Sequence, residues 1–162
     1  ICADHGIGEV PAAGYLAMMG MFDLFGTTFS GWLTDRLDAR WLLFSYYGLR
    51  GVSLIALPFI DFSPESLTIF GIFYGLDWIA TVPPTLRLSN IAFGEHSAPI
   101  VFGWSVFGHQ IGAACAASLA GLLREAQGSY QDMLVLAGLA GVMAAFLAIG
   151  IGGHRNLPKP VS

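Results

Sequence analysis

The sequence predicts an all-α fold, a polytopic bundle of membrane-spanning helices. Of its 162 residues, 55% are hydrophobic and only 11% are charged, whereas soluble domains carry about 25% charged residues. The hydrophobic residues also fall into five long runs separated by short polar segments. Each run is long enough to cross about 30 Å of hydrocarbon at roughly 1.5 Å rise per residue. We therefore expect five transmembrane helices.

The polar segments set the limits of these helices. The acidic segment 1–11 precedes the first helix as an exposed loop. Pro83 and Pro84 are expected to break the third helix near its end, before a loop at 87–98. Pro99 suits the first turn of the fourth helix. The predicted spans are 12–33, 41–60, 67–86, 99–123 and 133–153.

Basic residues are distributed unequally between the two sides of the predicted bundle. Arg124 is alone on one side, and the other side carries Arg36, Arg40, Arg87, Arg155 and Lys159. By the positive-inside rule, the loop at 31–40 and the C-terminus are cytoplasmic.

Composition and motifs argue against several other functions. A net charge of −4 provides no basic face for nucleic acid. Cys2 and Cys115 show no metal-ligand spacing, so we expect no metal and no cofactor. An intramembrane aspartyl protease would need Gly-x-Gly-Asp, but Tyr74 and Leu76 stand at the two glycine positions before Asp77. Neither a Gly-x-Ser-x-Gly turn nor a His-Glu-x-x-His site is present, and we expect no enzyme.

Four ionisable residues lie inside the predicted spans, each ten residues from a span boundary or flanking residue: Asp23, Arg50, Asp77 and His109. At about 1.5 Å per residue, all four lie roughly 15 Å deep, near the bilayer midplane. Each costs roughly 2.5 to 3.5 kcal/mol at a helix centre, so a lipid-facing position is disfavoured. Secondary transporters place their substrate sites at this depth. These residues, together with Gln110, are candidates for a substrate or proton pathway.

Each candidate also has a structural interpretation. Asp23 and Arg50 have equal depth on consecutive helices and would neutralise one another as an ion pair; alternatively, an Arg50 that faces a cavity suits a carboxylate substrate. Asp77, without a nearby cation, would gain and lose a proton near neutral pH and couple transport to protons. The structural alternative is a buried aspartate held by Trp78, by Thr81 or by a residue of the protein outside this sequence. His109 serves either as a ligand or proton relay, or as part of a helix interface.

The short charged turn after the first span carries a recognisable pattern, Gly-x-Leu-x-Asp-Arg-x-x-x-Arg. It resembles the loop signature of the major facilitator superfamily, although Asp38 stands where the family usually has glycine and Ala39 where it often has arginine. The segments YYGLRG, FYGLDWIATVPPT and FGWSVFGHQIGAACA are similar to those of bacterial members described as monocarboxylate-transporter-like. The residues that match the loop signature are Gly31, Leu33, Asp35, Arg36 and Arg40.

The resemblance implies a fold and a function. The spans would be helices eight to twelve of a twelve-helix transporter, five helices of a truncated six-helix C-terminal half. Such a protein moves a small organic, in particular an anionic, solute by alternating access, as a symporter or antiporter. Its partners would be the solute, protons, the lipid bilayer and the missing N-terminal half, and its location a bacterial inner membrane. The alternative is a non-transporting membrane receptor or assembly protein on the same scaffold.

The resemblance also implies roles for particular residues. The span of Asp77 would correspond to helix ten, which lines the central cavity, whereas the ninth helix lies outside it and favours a structural role for Arg50. The loop of Gly31, Asp35, Arg36 and Arg40 would be a gating latch against the opposite half. In the fourth span, residues such as Gly108 and Gly112 recur four apart. This spacing predicts close helix packing or a helix that slides during gating.

Overall fold

A computed structural model of the protein describes Cys2 and residues 5–151. The predicted all-α class is confirmed, because this part of the chain is helical and contains no strand. The C-terminal tail, with Arg155 and Lys159, lies outside the described residues, as do Asp4 and the last residues of the fifth predicted span. The helices are α1 (Glu9–Thr34), α2 (Ala39–Ala56), α3 (Pro64–Asp77), α4 (Val82–Phe93), α5 (Ala98–Gln127) and α6 (Gln131–Gly150), with a 3₁₀ turn at Leu57–Phe59 after α2.

Several helix ends follow from local chemistry. Asp38 begins α2, because its carboxylate accepts a hydrogen bond from the backbone N–H of Arg40 at 2.9 Å. Ser63 caps α3 in the same way, with Pro64 as the first helical residue. Gly128 ends α5 with a φ of 74°, a left-handed conformation that glycine adopts without strain.

The third predicted span is built differently from our expectation. The helix does not end at the proline pair. It breaks earlier, at residues 78–81, and Pro83 and Pro84 lie in the first turn of α4. Proline is tolerated there because the backbone N–H groups of a first turn have no acceptor within the helix. Most of the predicted loop at 87–98 is therefore wrong, since α4 continues to Phe93 and ends at Gly94, with a φ of 79°.

Four segments of the described chain are long and apolar enough to cross a membrane: Ala39–Phe59, Pro64–Phe93, Ala98–Gln127 and Gln131–Gly150. They correspond to the second to fifth predicted spans, and the third is the broken helix α3–α4. Helix α1 is long enough, at 26 residues, but is not among them. It carries Asp23 within its apolar run, and its crossing of the membrane remains a prediction.

Two helix pairs form the packed part of the molecule. Helix α1 packs against α3, and α2 packs against α6, while α4 contacts α1, α2 and α5. A Cβ on Gly51 of α2 would lie only 2.6 Å from the carbonyl oxygen of Gly138 in α6, so glycine allows this close approach. Gly138 therefore packs directly against the backbone of α2.

Helix α5 lies at the edge of the bundle. It contacts α4 and α6, and most of its residues are exposed. A Cβ added at Gly108 or Gly112 would meet no described atom within 4 Å. The close packing expected of these glycines is therefore not made with any described part of the chain.

Candidate functional site

The break between α3 and α4 is the polar centre of the described structure. It lies near the middle of the 30-residue segment Pro64–Phe93. An interrupted helix leaves backbone N–H and C=O groups without their usual partners. Lipid cannot replace those partners, so other parts of the protein must supply them. Side chains of α1 and α2 do so here.

Arg50 of α2 reaches the break from one side. Its Nε donates to Oδ2 of Asp77 at 3.0 Å, and its Nη2 donates to the carbonyl oxygen of Trp78 at 2.8 Å and to the backbone carbonyl of Asp77. The carboxylate of Asp77 is buried, with 7% of its side chain exposed, and Arg50 is partly buried, with 19% exposed. Arg50 therefore neutralises a buried carboxylate and also satisfies carbonyls of the broken helix.

The second carboxylate oxygen of Asp77 has no such partner. Oδ1 is buried and accepts no hydrogen bond from any described residue. An unsatisfied buried acceptor costs roughly 1 to 3 kcal/mol. This oxygen is the atom of the site with unused hydrogen-bonding capacity.

Two side chains of α1 reach the break from the other side. Oδ1 of Asp23 accepts a hydrogen bond from the backbone N–H of Ile79 at 2.8 Å, and the hydroxyl of Thr27 lies 3.4 Å from the same oxygen. Ser30 donates its hydroxyl to the carbonyl oxygen of Ala80 at 2.5 Å. Helix α1 thus provides a hydrogen-bond partner for one backbone N–H of the break, that of Ile79, and for one backbone carbonyl, that of Ala80.

The structure changes the pairing expected among the intramembrane charges. Arg50 pairs with Asp77 rather than with Asp23, and the expectation that Asp77 has no nearby cation is wrong. The carbonyl of Trp78 accepts from Arg50 rather than holding Asp77, and the Thr81 side chain makes no capping hydrogen bond. The reason is the break itself, which turns Asp77 toward α2. Roles of these residues in binding or proton transfer remain predictions.

His109 and Gln110 are not part of this cluster. Both lie on α5, where their side chains are exposed. The structure therefore brings three of the four predicted intramembrane charges to the break, and His109 lies apart from them in the described part of the chain. The common depth of all four stays a prediction.

The charged loop forms its own contacts. Asp35 pairs with Arg87 of α4 at 3.2 Å, and the guanidinium of Arg36 lies 3.9 Å from the centre of the Trp32 ring. These contacts hold the loop against its own bundle, and its role as a latch remains a prediction.

Within the same loop, Arg40 pairs with Asp38 at 2.7 Å. Asp38 is the residue that departs from the family pattern, and its hydrogen bond with Arg40 lowers the pKa of its carboxyl. Gly31, the first residue of the signature, lies within α1, where an added Cβ would meet nothing within 4 Å.

Sequence reasoning missed two contributors to the site, Gly26 and Ser30. A Cβ on Gly26 would lie 2.0 Å from the carbonyl oxygen of Leu76, so only glycine allows α1 to approach α3 this closely. A signal was present: Asp23, Gly26, Ser30 and Thr34 are spaced three or four apart and form one small, polar face of an apolar helix. All four are buried.

A groove lies beside the ion pair, between α1, α2 and α3. Its volume is about 370 Å³, and its walls are mainly apolar side chains, including Phe29, Leu49 and Phe73. Asp77 and Tyr46 are the residues of its lining that carry a titratable group.

The chain is similar to known membrane transporters. A Bacillus subtilis protein described as an uncharacterised MFS-type transporter, YcxA, is 27% identical over 122 residues, which cover 72% of this chain. Human monocarboxylate transporter 12 is 27% identical over 150 residues, or 88% of this chain. Monocarboxylate transporter 12-B of Danio rerio is 24% identical over 156 residues, or 91%.

These matches cover 30%, 28% and 32% of the three relatives, so the chain spans about a third of their length. No family model matches the chain, and no solved structure matches it. The similarities agree with the loop signature and with the apolar helices. The chain is an integral membrane protein that is similar to transporters of the major facilitator superfamily type, among them monocarboxylate transporters.

Proposed function

We propose that the chain forms part of a secondary active transporter that moves a small organic anion across a membrane by alternating access. The observation that carries the proposal is the buried pair of Arg50 and Asp77 at the break of a membrane-type helix. Secondary transporters build their sites from discontinuous helices near the bilayer midplane. The described break lies near the middle of such a helix.

Energetics favour a functional role for this pair. Removing two charges from water costs several kcal/mol for each ion, and replacing a buried pair by apolar residues is often neutral or stabilising. A buried ion pair is therefore weak support for stability alone. In a chain with only 11% charged residues, a charged pair within membrane-type helices points to transport chemistry.

The geometry supports an anionic substrate. A guanidinium group binds a carboxylate through two parallel N–H donors, and here Arg50 already holds the carboxylate of Asp77. A proton on Asp77 would weaken that pairing and free Arg50 for the carboxylate of a solute. Proton uptake and anion binding would then be coupled at one place. Two of the three relatives reported above are named monocarboxylate transporters, which supports a monocarboxylate as the solute class.

The remaining expectations belong to the same proposal. The chain would supply helices eight to twelve of the C-terminal half, with the opposite half closing the cavity. The loop containing Asp35, Arg36 and Arg40 would lie on the cytoplasmic side with the C-terminus, in a bacterial inner membrane. The contact of Asp35 with Arg87 supports a common side for both charges.

Transport by the intact protein in proteoliposomes tests the proposal, with lactate as the probe and an imposed proton gradient. Asp77→Asn is expected to abolish gradient-driven uptake, because the amide cannot exchange a proton, while membrane insertion stays normal. Asp132→Asn, an exposed carboxylate at the start of α6, is the matched control and should transport at the wild-type rate. Wild-type uptake by Asp77→Asn would contradict the coupling role. Absence of uptake of any small monocarboxylate by the wild type would favour a receptor or assembly protein.

A further inference from the structure

We infer that Asp23 is a positioning residue: its carboxylate holds the α3–α4 break in place as a hydrogen-bond acceptor, and transport does not require it to carry a proton. For its transport readout, this inference rests on the function proposed above. Asp23 and Asp77 would then have different roles, although the sequence alone predicts both as carboxylates near the bilayer midplane.

The contacts of Asp23 are those of a backbone cap. Its Oδ1 accepts the N–H of Ile79 at 2.8 Å, and the neighbouring donor is the hydroxyl of Thr27 at 3.4 Å. It forms no ion pair with any residue that the structure describes. The guanidinium of Arg50 instead binds the carboxylate of Asp77 and the carbonyl oxygen of Trp78. The interaction that Asp23 makes therefore needs an oxygen acceptor and no negative charge.

Asp23 also lies at the centre of the contact between α1 and α3. On one side of it, a Cβ on Gly75 would lie 2.6 Å from the carbonyl oxygen of Met19. On the other side, Ser30 holds the carbonyl of Ala80. These contacts leave α1 little freedom to move relative to the break. A single carboxylate oxygen at this point fixes the N–H of Ile79 two residues after Asp77.

The position of the break in turn determines where the ion pair forms. Arg50 donates both to the side chain of Asp77 and to carbonyls at the break. If the Ile79 N–H lost its acceptor, the segment 78–81 would shift to find another. The carbonyl that Arg50 binds would shift with it. Asp23 would thus act on the ion pair through the backbone, without touching it.

The conservative and the disruptive variants of Asp23 separate the two roles. Asp23→Asn keeps a carbonyl oxygen at the same place but cannot carry a proton. Asp23→Ala removes the acceptor and leaves the Ile79 N–H unpaired. A positioning role predicts that asparagine restores what alanine loses, whereas a proton-carrying role predicts that both variants fail.

The experiment measures two quantities on the intact protein with each variant. Hydrogen–deuterium exchange of the peptide containing Ile79 should be about tenfold faster in Asp23→Ala and close to the wild-type rate in Asp23→Asn. Proton-driven lactate uptake should fall at least tenfold in Asp23→Ala and remain within about twofold of wild type in Asp23→Asn.

Three outcomes would overturn the inference. The first is loss of uptake in Asp23→Asn with unchanged exchange at Ile79, which would assign a proton to Asp23. The second is equally fast exchange in both variants, which would show that the charge, not the acceptor, holds the break. The third is failure of Asp23→Asn to insert. If the wild type transports no lactate, the proposed function fails, but the exchange comparison still tests the position of the break.

Discussion

The break between α3 and α4 and the long helix α5 both place polar groups within apolar helices, yet their surroundings differ completely. At the break, Asp23, Arg50 and Asp77 are enclosed and bound to backbone or to one another. On α5, His109 and Gln110 are exposed, and they form no hydrogen bond or ion pair with the residues that the structure describes. The depth of a polar residue along its helix therefore does not determine its role. Its role depends on the groups that it contacts.

Small residues show the same contrast. Gly26 and Gly75 lie against the backbone of a neighbouring helix, so any side chain there would collide. Gly108 and Gly112 of α5 follow the more obvious four-residue spacing but face open space in the described structure. A four-residue spacing of glycines is thus a weaker guide to helix packing than a helix face that combines small and polar residues, such as the face of Gly26 and Ser30 on α1.

The largest effect should come from separating the ion pair. Arg50→Met leaves Asp77 buried without its cation, which should destabilise the intact protein by about 3 to 5 kcal/mol. The double variant Arg50→Met with Asp77→Leu removes both charges and should recover much of that loss. Thermal unfolding in detergent measures both. If the single and double variants were equally unstable, the pair would not be the feature that distinguishes the break from α5.

A smaller effect is expected from the helix contacts. Gly26→Ala forces a Cβ to within 2.0 Å of the carbonyl of Leu76 unless α1 moves, and overpacking of this kind costs about 1 to 3 kcal/mol. Gly112→Ala on α5 is the matched control. It should be neutral or stabilise by up to about 1 kcal/mol, since alanine favours the helix. Unfolding temperatures compare the two, and equal destabilisation would show that α5 is packed as tightly as α1.

The smallest effect should come from α5 itself. His109→Gln keeps a polar side chain of similar size at an exposed position, and substitutions of this kind usually change stability by less than about 0.5 kcal/mol. The same unfolding measurement applies. A loss above about 1 kcal/mol would mean that His109 is enclosed in the intact protein, and the contrast with the break would then disappear.

The sequence predicted the class of the fold and the intramembrane charges, because hydrophobic composition and rare charges are properties of single residues. The loop signature and its match to transporter relatives were equally accessible. The break was not, because two prolines in an apolar segment are consistent either with the end of a helix or with the start of a new one. Deciding between them requires Gly26, Ser30 and Asp23 of α1 to meet the unpaired backbone, which is a tertiary contact.

The partner of Arg50 illustrates the same limit. Equal depth on consecutive helices made Asp23 a reasonable partner, but the unwinding after Asp77 brings that carboxylate closer. Which of two acids an arginine chooses depends on the rotation of helices about their axes, and rotation is set by contacts such as Gly51 against Gly138.

The non-helical residues 78–81 divide one membrane-length segment into two shorter helices, α3 and α4. Helix α3 packs closely against α1 at Gly26 and Gly75. Helix α4 contacts α2 and α5 as well as α1. The backbone hydrogen bonds at this joint are those of tight turns, from the N–H of Trp78 to Gly75 and from the N–H of Val82 to Ile79, so no continuous α-helical ladder connects α3 to α4. Asp77 is the last residue of α3, so a change in its charge would act directly at the joint between the two helices.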